Sequence, residues 1–457
     1  MSRARWLEWL KSDFGRLIML AIGVRLLLIP LSHTWDGQSW ANVFAELGQS
    51  GNPLEAVRRP YESMRELSLL TAAAGRHADH YEYWAYPPLQ LYVFWPLARL
   101  YTLLAGPADA RFAVQPTMIA PSLPIPLLAL IHTPNIIGDV ASLYIMRALG
   151  VSLSRLRWYA FNPFVLLVGA WTFDSEMVVF LLLALYWTER GNAVRSAAAL
   201  GLGATMKFVA LIALPAVLLT AAWNGGSVKS IAVRAVTSIS VCAVVIAIAC
   251  APAIDGVVYV VQFQLSRFAA GMSLPQVWTS IVAPVPNSSY DWQPPVQAYV
   301  SGEIGGIILP VLVAGACLVL VIWHLPPSSG FLLLVLAFLA GAKVVNEPYA
   351  LSAVALATIE IERRPSAGFR AGYLLLWLVP FAYAVLNTPV WAFFLSFVQQ
   401  VEPGLTLAIN GWLQVYREFR GLPEARWPYV GLTLLFEMGL VVLASSMVRV
   451  VRRQAHG

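Results

Sequence analysis

One carboxylate stands directly after the first apolar segment of the chain. Asp36 lies within the sequence His-Thr-Trp-Asp-Gly-Gln at positions 33–38. A carboxylate at a membrane surface could act as a general base and take the proton of an acceptor hydroxyl. Its position leaves a structural alternative open, in which Asp36 is the N-cap of a helix over 38–48.

Three further ionisable residues lie inside long apolar segments. Asp174 and Glu176 follow an apolar stretch, and Lys207 is a cation surrounded by apolar residues. Ionisable groups within apolar segments indicate function because a charge is costly inside a membrane. The alternatives are that the two acids cap a helix break and that the lysine extends its amine to the membrane surface.

Two cations are predicted to lie near the outer face of a membrane. Arg267 stands in a polar segment, and Lys343 and Glu347 flank a predicted outer turn. Cations in this position could bind a lipid phosphate through charge-assisted hydrogen bonds. The alternative for each is an ordinary contact with lipid headgroups.

The composition predicts a membrane protein. Of the 457 residues, 59% are hydrophobic and 12% are charged, whereas soluble domains carry about 25% charged residues. Several apolar runs approach the roughly 20 residues that cross a bilayer. These runs predict an all-α, polytopic transmembrane protein with one domain over 1–457, and they cover 231–252, 306–323, 329–345, 370–388 and 428–448.

The positive charge predicts orientation and does not indicate nucleic-acid binding. The formal net charge of +6 is concentrated in short loops and tails, as expected for cytoplasmic segments of a membrane protein. Both termini are therefore predicted to be cytoplasmic. Three outer segments follow from this orientation, and they are 34–85, 253–305 and 389–427.

The first outer segment is predicted to contain helices that lie on the membrane surface. A first spanning helix is expected over about 15–33, and a second begins at Tyr86-Pro87-Pro88. Between them, 38–48 and 53–75 have the apolar spacing of amphipathic helices.

Three apolar segments are predicted to be broken by polar residues. The expected breaks are at Thr133-Pro134-Asn135 in 122–149, at Thr172-Phe173-Asp174 in 158–188, and near Lys207 in 197–222. Broken helices at membrane depth need protein or a water-filled cavity around the freed backbone. We therefore expect three V-shaped pairs of short helices around a polar cavity, with single helices over 158–188 and 197–222 as the alternative.

The sequence does not favour a metal site or a disulfide. Cys242, Cys250 and Cys317 lie in apolar stretches and have no ligand-like spacing. A polar cluster in the first outer segment matches no standard ligand pattern, and it consists of His77, Asp79, His80 and Glu82.

The order of several motifs resembles the GT-C superfamily of membrane glycosyltransferases. Within it, the sequence is similar to the enzyme that adds the first mannose to glycosylphosphatidylinositol anchors and to bacterial polyprenyl-phosphomannose-dependent mannosyltransferases. The likeness covers about 15–360. The motifs are Asp36, Gly51-Asn52-Pro53, Tyr86-Pro87-Pro88, Phe161-Asn162-Pro163-Phe164 through Asp174, Met206-Lys207-Phe208, Pro215, and Lys343 to Tyr349.

The resemblance implies an inverting glycosyltransferase with a polyprenyl-phosphate sugar donor, mannose being favoured. Asp36 would be the catalytic base. Three cations would stabilise the departing phosphate, and they are Arg267, Lys207 and Lys343. The residues expected to line the substrate cavity are Gln38, Tyr86, Asp174, Glu347 and Tyr349.

The resemblance favours a reaction without a cofactor. The anchor mannosyltransferase carries Asp-x-Asp at the first outer segment, whereas Thr34 and Asp36 fill those places here. With one carboxylate fewer, a divalent metal is not favoured. The expected partners are the lipid-linked donor, a glycolipid or glycan acceptor and membrane lipids, at the outer face of a bacterial plasma membrane.

Two other classes of function remain open from the sequence. A flippase or transporter of lipid-linked sugars would bind the same kind of molecule. It would be expected to have pseudo-symmetric halves, which the sequence does not show. A non-catalytic subunit of a glycosyltransferase complex would not need Asp36 for product formation.

Overall fold

The chain is almost entirely α-helical, as predicted. The computed structural model describes residues 8–32, 34–73, 84–106, 123–170, 172–224, 227–266, 269–282, 295–388, 390–394, 397–398, 401–420 and 423–456. The helices of the first half are α1 (Asp13–Leu27), α2 (Thr34–Gln49), α3 (Pro53–Ala56), α4 (Arg59–Ala73), α5 (Leu89–Ala105), α6 (Ile125–Ala148), α7 (Leu153–Ala160), α8 (Pro163–Gly169), α9 (Asp174–Glu189), α10 (Ala193–Met206) and α11 (Leu214–Trp223).

The second half contains longer helices and one very small sheet. Two-residue strands β1 (Ala270–Gly271) and β2 (Val344–Val345) pair in parallel. Short 3₁₀ helices occupy Phe208–Ala213, Ala251–Ala253, Glu347–Tyr349 and Pro423–Ala425. The remaining helices are α12 (Val228–Cys250), α13 (Ile254–Ser266), α14 (Leu274–Val282), α15 (Pro295–Trp323), α16 (Pro327–Gly341), α17 (Ala350–Arg363), α18 (Ala367–Asn387), α19 (Val390–Phe393), α20 (Pro403–Arg420) and α21 (Arg426–His456).

Several helices are long and apolar enough to cross a membrane. By length and composition the described residues contain five such helices, or six if α8 and α9 count as one bent span. Only 11% of the window Gly306–Trp323 is buried inside the protein. Exposed apolar surface of this extent suits contact with lipid rather than water. The five spans are Ile125–Ala148, Val228–Leu265, Gly306–Trp323, Ala367–Asn387 and Arg426–Gln454.

Two hydrophobic cores organise the helices. In the larger one α17 is central, because its side chains from Ala350 to Ile361 are all buried among residues of α9, α16, α18 and α21. The smaller core joins α2, α4, α5 and α13 through side chains such as Phe44 and Phe94. Phe173 belongs to the smaller core and Met177 to the larger, so the start of α9 lies where the two cores meet.

The predicted break in 122–149 is wrong. Helix α6 runs without interruption from Ile125 to Ala148 and contains Pro134. Thr133 Oγ donates a hydrogen bond to the carbonyl of Ala129 at 2.7 Å, and Asn135 is buried. The polar residues around Pro134 therefore mark a buried polar face, and neighbouring helices accommodate the proline as they do in spanning helices generally.

The other two predicted breaks are confirmed, and the single-helix alternatives are excluded. The axes of α8 and α9 differ in direction by 113°, and the break falls directly before Asp174. Helix α10 ends at Met206, and Lys207 adopts an extended conformation with φ −146° and ψ 129°. The 3₁₀ helix Phe208–Ala213 and α11 follow this break.

The amphipathic helices of the first outer segment are packed against the protein. In α2, Trp40, Phe44 and Leu47 are buried against the smaller core. The apolar face that the sequence assigned to a membrane surface is thus covered by α5. The segment 253–305, predicted as an outer loop, contains α13, α14 and the beginning of α15.

Gly372 tests the packing of α18 against α21. A Cβ atom at this position would lie 2.8 Å from the backbone nitrogen of Leu443 and 3.0 Å from its Cα. Because backbone atoms cannot move aside cheaply, we expect Gly372→Ala to destabilise the protein by about 1–3 kcal/mol. The measurement is the melting temperature of the purified protein in detergent.

The matched control is Gly315→Ala in α15, where an added Cβ would meet nothing within 4 Å. This variant should melt at the wild-type temperature or slightly higher, because alanine favours helix over glycine. An equal fall in both variants would contradict the close approach of α18 and α21.

Candidate functional site

A buried ion pair joins the two confirmed helix breaks. Lys207 Nζ lies 2.7 Å from Asp174 Oδ2, and the side chains are 6% and 0% exposed. Thr172 Oγ donates a second hydrogen bond to Asp174 Oδ2 at 2.5 Å. The charge of each partner is thus balanced inside the protein, and Lys207 does not extend to the membrane surface.

The local sequence explains why both residues lie at breaks. Asp174 is the first residue of α9. A carboxylate at this position is stabilised by the positive end of the helix dipole. Lys207 caps the end of α10, and its own N–H donates to the carbonyl of Gly203 at 2.8 Å. Because the extended backbone at Lys207 interrupts the helix, its side chain turns inward toward α9.

Aromatic rings surround the ammonium group of Lys207. Its Nζ lies 4.7 Å from the ring centroid of Tyr349, 5.3 Å from that of Tyr86 and 5.4 Å from that of Phe173. Such distances allow cation–π attraction. We call the set Tyr86, Phe173, Lys207, Asp174 and Tyr349 the aromatic box.

Tyr86 is held in the aromatic box by neighbouring side chains. Its ring meets that of Phe173 edge-on, with centroids 4.7 Å apart. The Tyr61 hydroxyl donates to the carbonyl of Tyr86 at 2.8 Å. Burial raises the pKa of Tyr61 well above its usual range, so this hydroxyl remains a protonated donor at neutral pH.

Asp36 lies in the first turn of α2 and is therefore not an N-cap that precedes the helix. It stands four residues before Trp40, and residues at this spacing share one helix face. The Trp40 ring lies 5.8 Å from that of Phe173. The face of α2 that carries Asp36 is thus joined to the aromatic box through Trp40.

Glu347 and Lys343 are predicted site residues that do not belong to the aromatic box. Glu347 begins the buried 3₁₀ helix that ends at Tyr349. Lys343 Nζ donates to the carbonyl of Leu265, and its own carbonyl accepts from Ala270 N and Ser273 Oγ. Lys343 therefore ties the end of α13 to the turn before Glu347. Arg267 and the side chain of Gln38 lie outside the described residues.

A second buried ion pair was not predicted from the sequence. Arg25 Nε of α1 lies 2.5 Å from Asp139 Oδ2 of α6. The two residues are 114 positions apart in the sequence, and no local pattern links them. A signal was available at Asp139, since an ionisable residue within an apolar segment is a functional candidate.

Glu176 also lies in buried surroundings. Gln90 Nε2 is 3.5 Å from Glu176 Oε1, while Glu176 Oε2 has no hydrogen-bond partner among the described residues. Gly138 of α6 packs so closely on the start of α9 that a Cβ there would lie 3.0 Å from the nitrogen of Glu176. This contact holds α6 beside the turn that presents Asp174.

Within the described residues, no group of three or more His, Cys, Asp or Glu side chains could hold a metal ion. The cluster His77, Asp79, His80 and Glu82 lies outside those residues. The two buried ion pairs each bring one carboxylate together with one cation, which is not a metal-ligand set.

Comparison with known proteins gives no family for this chain. No protein-family model matches the sequence, and no curated protein matches it.

A double-mutant cycle tests the coupling of Lys207 and Asp174. Lys207→Met leaves the Asp174 charge buried without its cation, and we expect a loss of about 3–5 kcal/mol of stability. The double variant Lys207→Met/Asp174→Asn should recover much of this loss because it leaves no uncompensated charge. The measurement is thermal unfolding of each variant in detergent.

The control is the exposed pair Arg59–Glu55, whose side chains are 34% and 57% exposed. Arg59→Met should change stability by no more than about 1 kcal/mol. If Lys207→Met proves as mild as Arg59→Met, the two buried charges are not coupled.

Proposed function

We propose that this protein is a multi-pass membrane glycosyltransferase that takes its sugar from a polyprenyl-phosphate carrier. The observation that carries the proposal is the aromatic box, together with the packing of the Asp36 helix against it. On this proposal, Asp36 on α2 would take the acceptor proton, and Lys207, at the junction of the two cores, would contact the donor phosphate.

The proposed reaction is a direct displacement with inversion. An acceptor hydroxyl attacks the anomeric carbon, and its proton passes to Asp36. The bond between that carbon and the phosphate oxygen breaks, and its electron pair leaves with the polyprenyl phosphate. Cations near the leaving group would stabilise the charge that develops there.

Lys207 has the hydrogen-bonding capacity for a phosphate contact. An ammonium group has three donors, and one of them bonds Asp174 at 2.7 Å. Asp174 also fixes the direction of the lysine. Lys343 and Arg267 are proposed as further phosphate contacts.

The aromatic rings support a sugar rather than a purely apolar ligand. Tyr86 and Tyr349 are each partly exposed and each place a ring near a buried cation. Aromatic rings beside a few fixed polar groups are typical of small-molecule sites. Mannose is proposed as the sugar on the resemblance of the motifs, with a glycolipid or glycan as acceptor.

The exposed apolar helices support a lipid-linked donor. In Val228–Leu265 only 28% of the apolar 18-residue window is buried within the protein, and its exposed side chains suit contact with acyl chains. A carrier dissolved in the membrane would approach such a protein laterally. The proposed location is the outer face of a plasma membrane, with both termini in the cytoplasm.

Transfer from a panel of synthetic polyprenyl-phosphate sugars to mixed membrane-lipid acceptors tests the proposal. Asp36→Asn keeps the size of the side chain but removes its basicity, and we expect the transfer rate to fall by about 10²–10⁴-fold. The control is Asp255→Asn, which changes an exposed acid in the first turn of α13 and should retain wild-type activity.

The outcomes separate the competing functions. Transfer by wild type and Asp255→Asn, but not by Asp36→Asn, supports the enzyme and its base. Equal transfer by all three proteins would contradict the role of Asp36. If none transfers any sugar, the proposed enzyme is wrong. Movement of the carrier between leaflets of reconstituted vesicles would then identify a flippase.

A further inference from the structure

A small cavity lies between α1, α6 and the end of α8. Its polar lining consists of Arg25, His132, Asn135 and Asp139, and apolar residues of the three helices complete it. The cavity measures about 10 Å³, which is close to the minimum that accommodates one water molecule. All four polar residues are buried.

Several hydrogen-bonding groups around the cavity are used by the protein itself. Arg25 Nε bonds Asp139 Oδ2 at 2.5 Å, and Arg25 Nη1 donates to the carbonyls of Ala21 and Ala160, each at 3.2 Å. Asn135 Nδ2 donates to the carbonyl of Gly169 at 3.0 Å. These bonds join α1, α6, α7 and α8 at one point.

Each of these four polar residues has a buried side-chain atom that makes no hydrogen bond within the described residues. Arg25 Nη2, His132 Nε2, Asn135 Oδ1 and Asp139 Oδ1 are buried and have no hydrogen-bond partner among the described residues. An unsatisfied buried polar group is destabilising. The four residues that carry these atoms line one cavity, which points to a common ligand.

We infer that this cavity holds one internal water molecule. A water can donate two hydrogen bonds and accept two. It would donate to Asn135 Oδ1 and Asp139 Oδ1, and accept from Arg25 Nη2 and from the Nε2–H tautomer of His132. This assignment satisfies all four atoms.

The charges of the cavity exclude other small ligands. A metal cation would face the Arg25 guanidinium, and an anion would face the free oxygen of Asp139. An apolar ligand would leave all four polar atoms unsatisfied. A neutral molecule with two donors and two acceptors fits, and the volume limits it to the size of water.

The water connects α1 and α6 to the bend before Asp174. Asn135 already holds the carbonyl of Gly169, the last residue of α8. The water bonds Asn135 Oδ1, the other polar atom of this side-chain amide, and links it to Arg25 and Asp139. It thereby helps to hold the 113° bend between α8 and α9.

A structure of the full chain in lipid nanodiscs, at a resolution that shows ordered water, tests the inference. We expect one density peak about 2.6–3.2 Å from each of the four atoms. An empty cavity overturns the inference. So does a metal ion, or an arrangement in which Arg25 and Asp139 satisfy each other through two bonds.

Radiolytic labelling provides a second measurement that does not depend on resolution. Hydroxyl radicals generated from bound water should oxidise His132 although its side chain is 3% exposed. Phe331, buried in the apolar core at 0% exposure, is the reference for a dry position. Rates are normalised to those of the unfolded chain, and equal protection of His132 and Phe331 would contradict a water at the cavity.

Variants of α6 complete the test. His132→Phe fills the cavity with an apolar ring and should lower the melting temperature by several degrees, with loss of the water peak. Ile137→Phe places the same ring on the exposed side of α6, where Ile137 is 63% exposed. Its melting temperature should equal that of the wild type. Equal stability of the two variants would overturn the inference.

Discussion

The interior of this protein is governed by the cost of placing charge in an apolar environment. Moving an ion out of water costs several kcal/mol even after relaxation, and only a close partner of opposite charge offsets it. Lys207 and Asp174 meet this condition at 2.7 Å, and Arg25 and Asp139 do so at 2.5 Å. Each pair needs its helices in fixed register, so the breaks after Gly169 and Met206 follow from the same constraint.

The sequence predicted the parts of the fold that depend on local composition. The apolar runs identified the long helices, and polar residues within an apolar segment correctly marked the breaks at Asp174 and Lys207. The same reasoning failed at Thr133-Pro134-Asn135, because polar residues can face a buried partner without interrupting a helix. The amphipathic pattern of α2 likewise gave its apolar face but not the partner, α5, that covers it.

The contacts between distant residues could not be predicted from the sequence. Neither the Arg25–Asp139 pair nor the position of Tyr349 beside Lys207 has a local signature, since each joins segments more than a hundred residues apart in the chain. By contrast, the short motifs did select Tyr86, Asp174, Lys207 and Tyr349, which the fold brings into one aromatic box. Their mutual geometry is a tertiary result, because it requires the smaller core to pack against the larger at Phe173.

A buried ion pair is weak evidence for stability, since apolar residues of similar size often stabilise a protein as well or better. This argument applies with force to Lys207, which lies between two hydrophobic cores that could have been continuous. The free-energy cost of burying Lys207 has a functional explanation if the cation binds a second partner during function. The proposed lipid-linked phosphate would be such a partner, because it would bring compensating charge to the aromatic box and leave again as the product departs. The fixed pair with Asp174 would then keep the lysine oriented between turnovers.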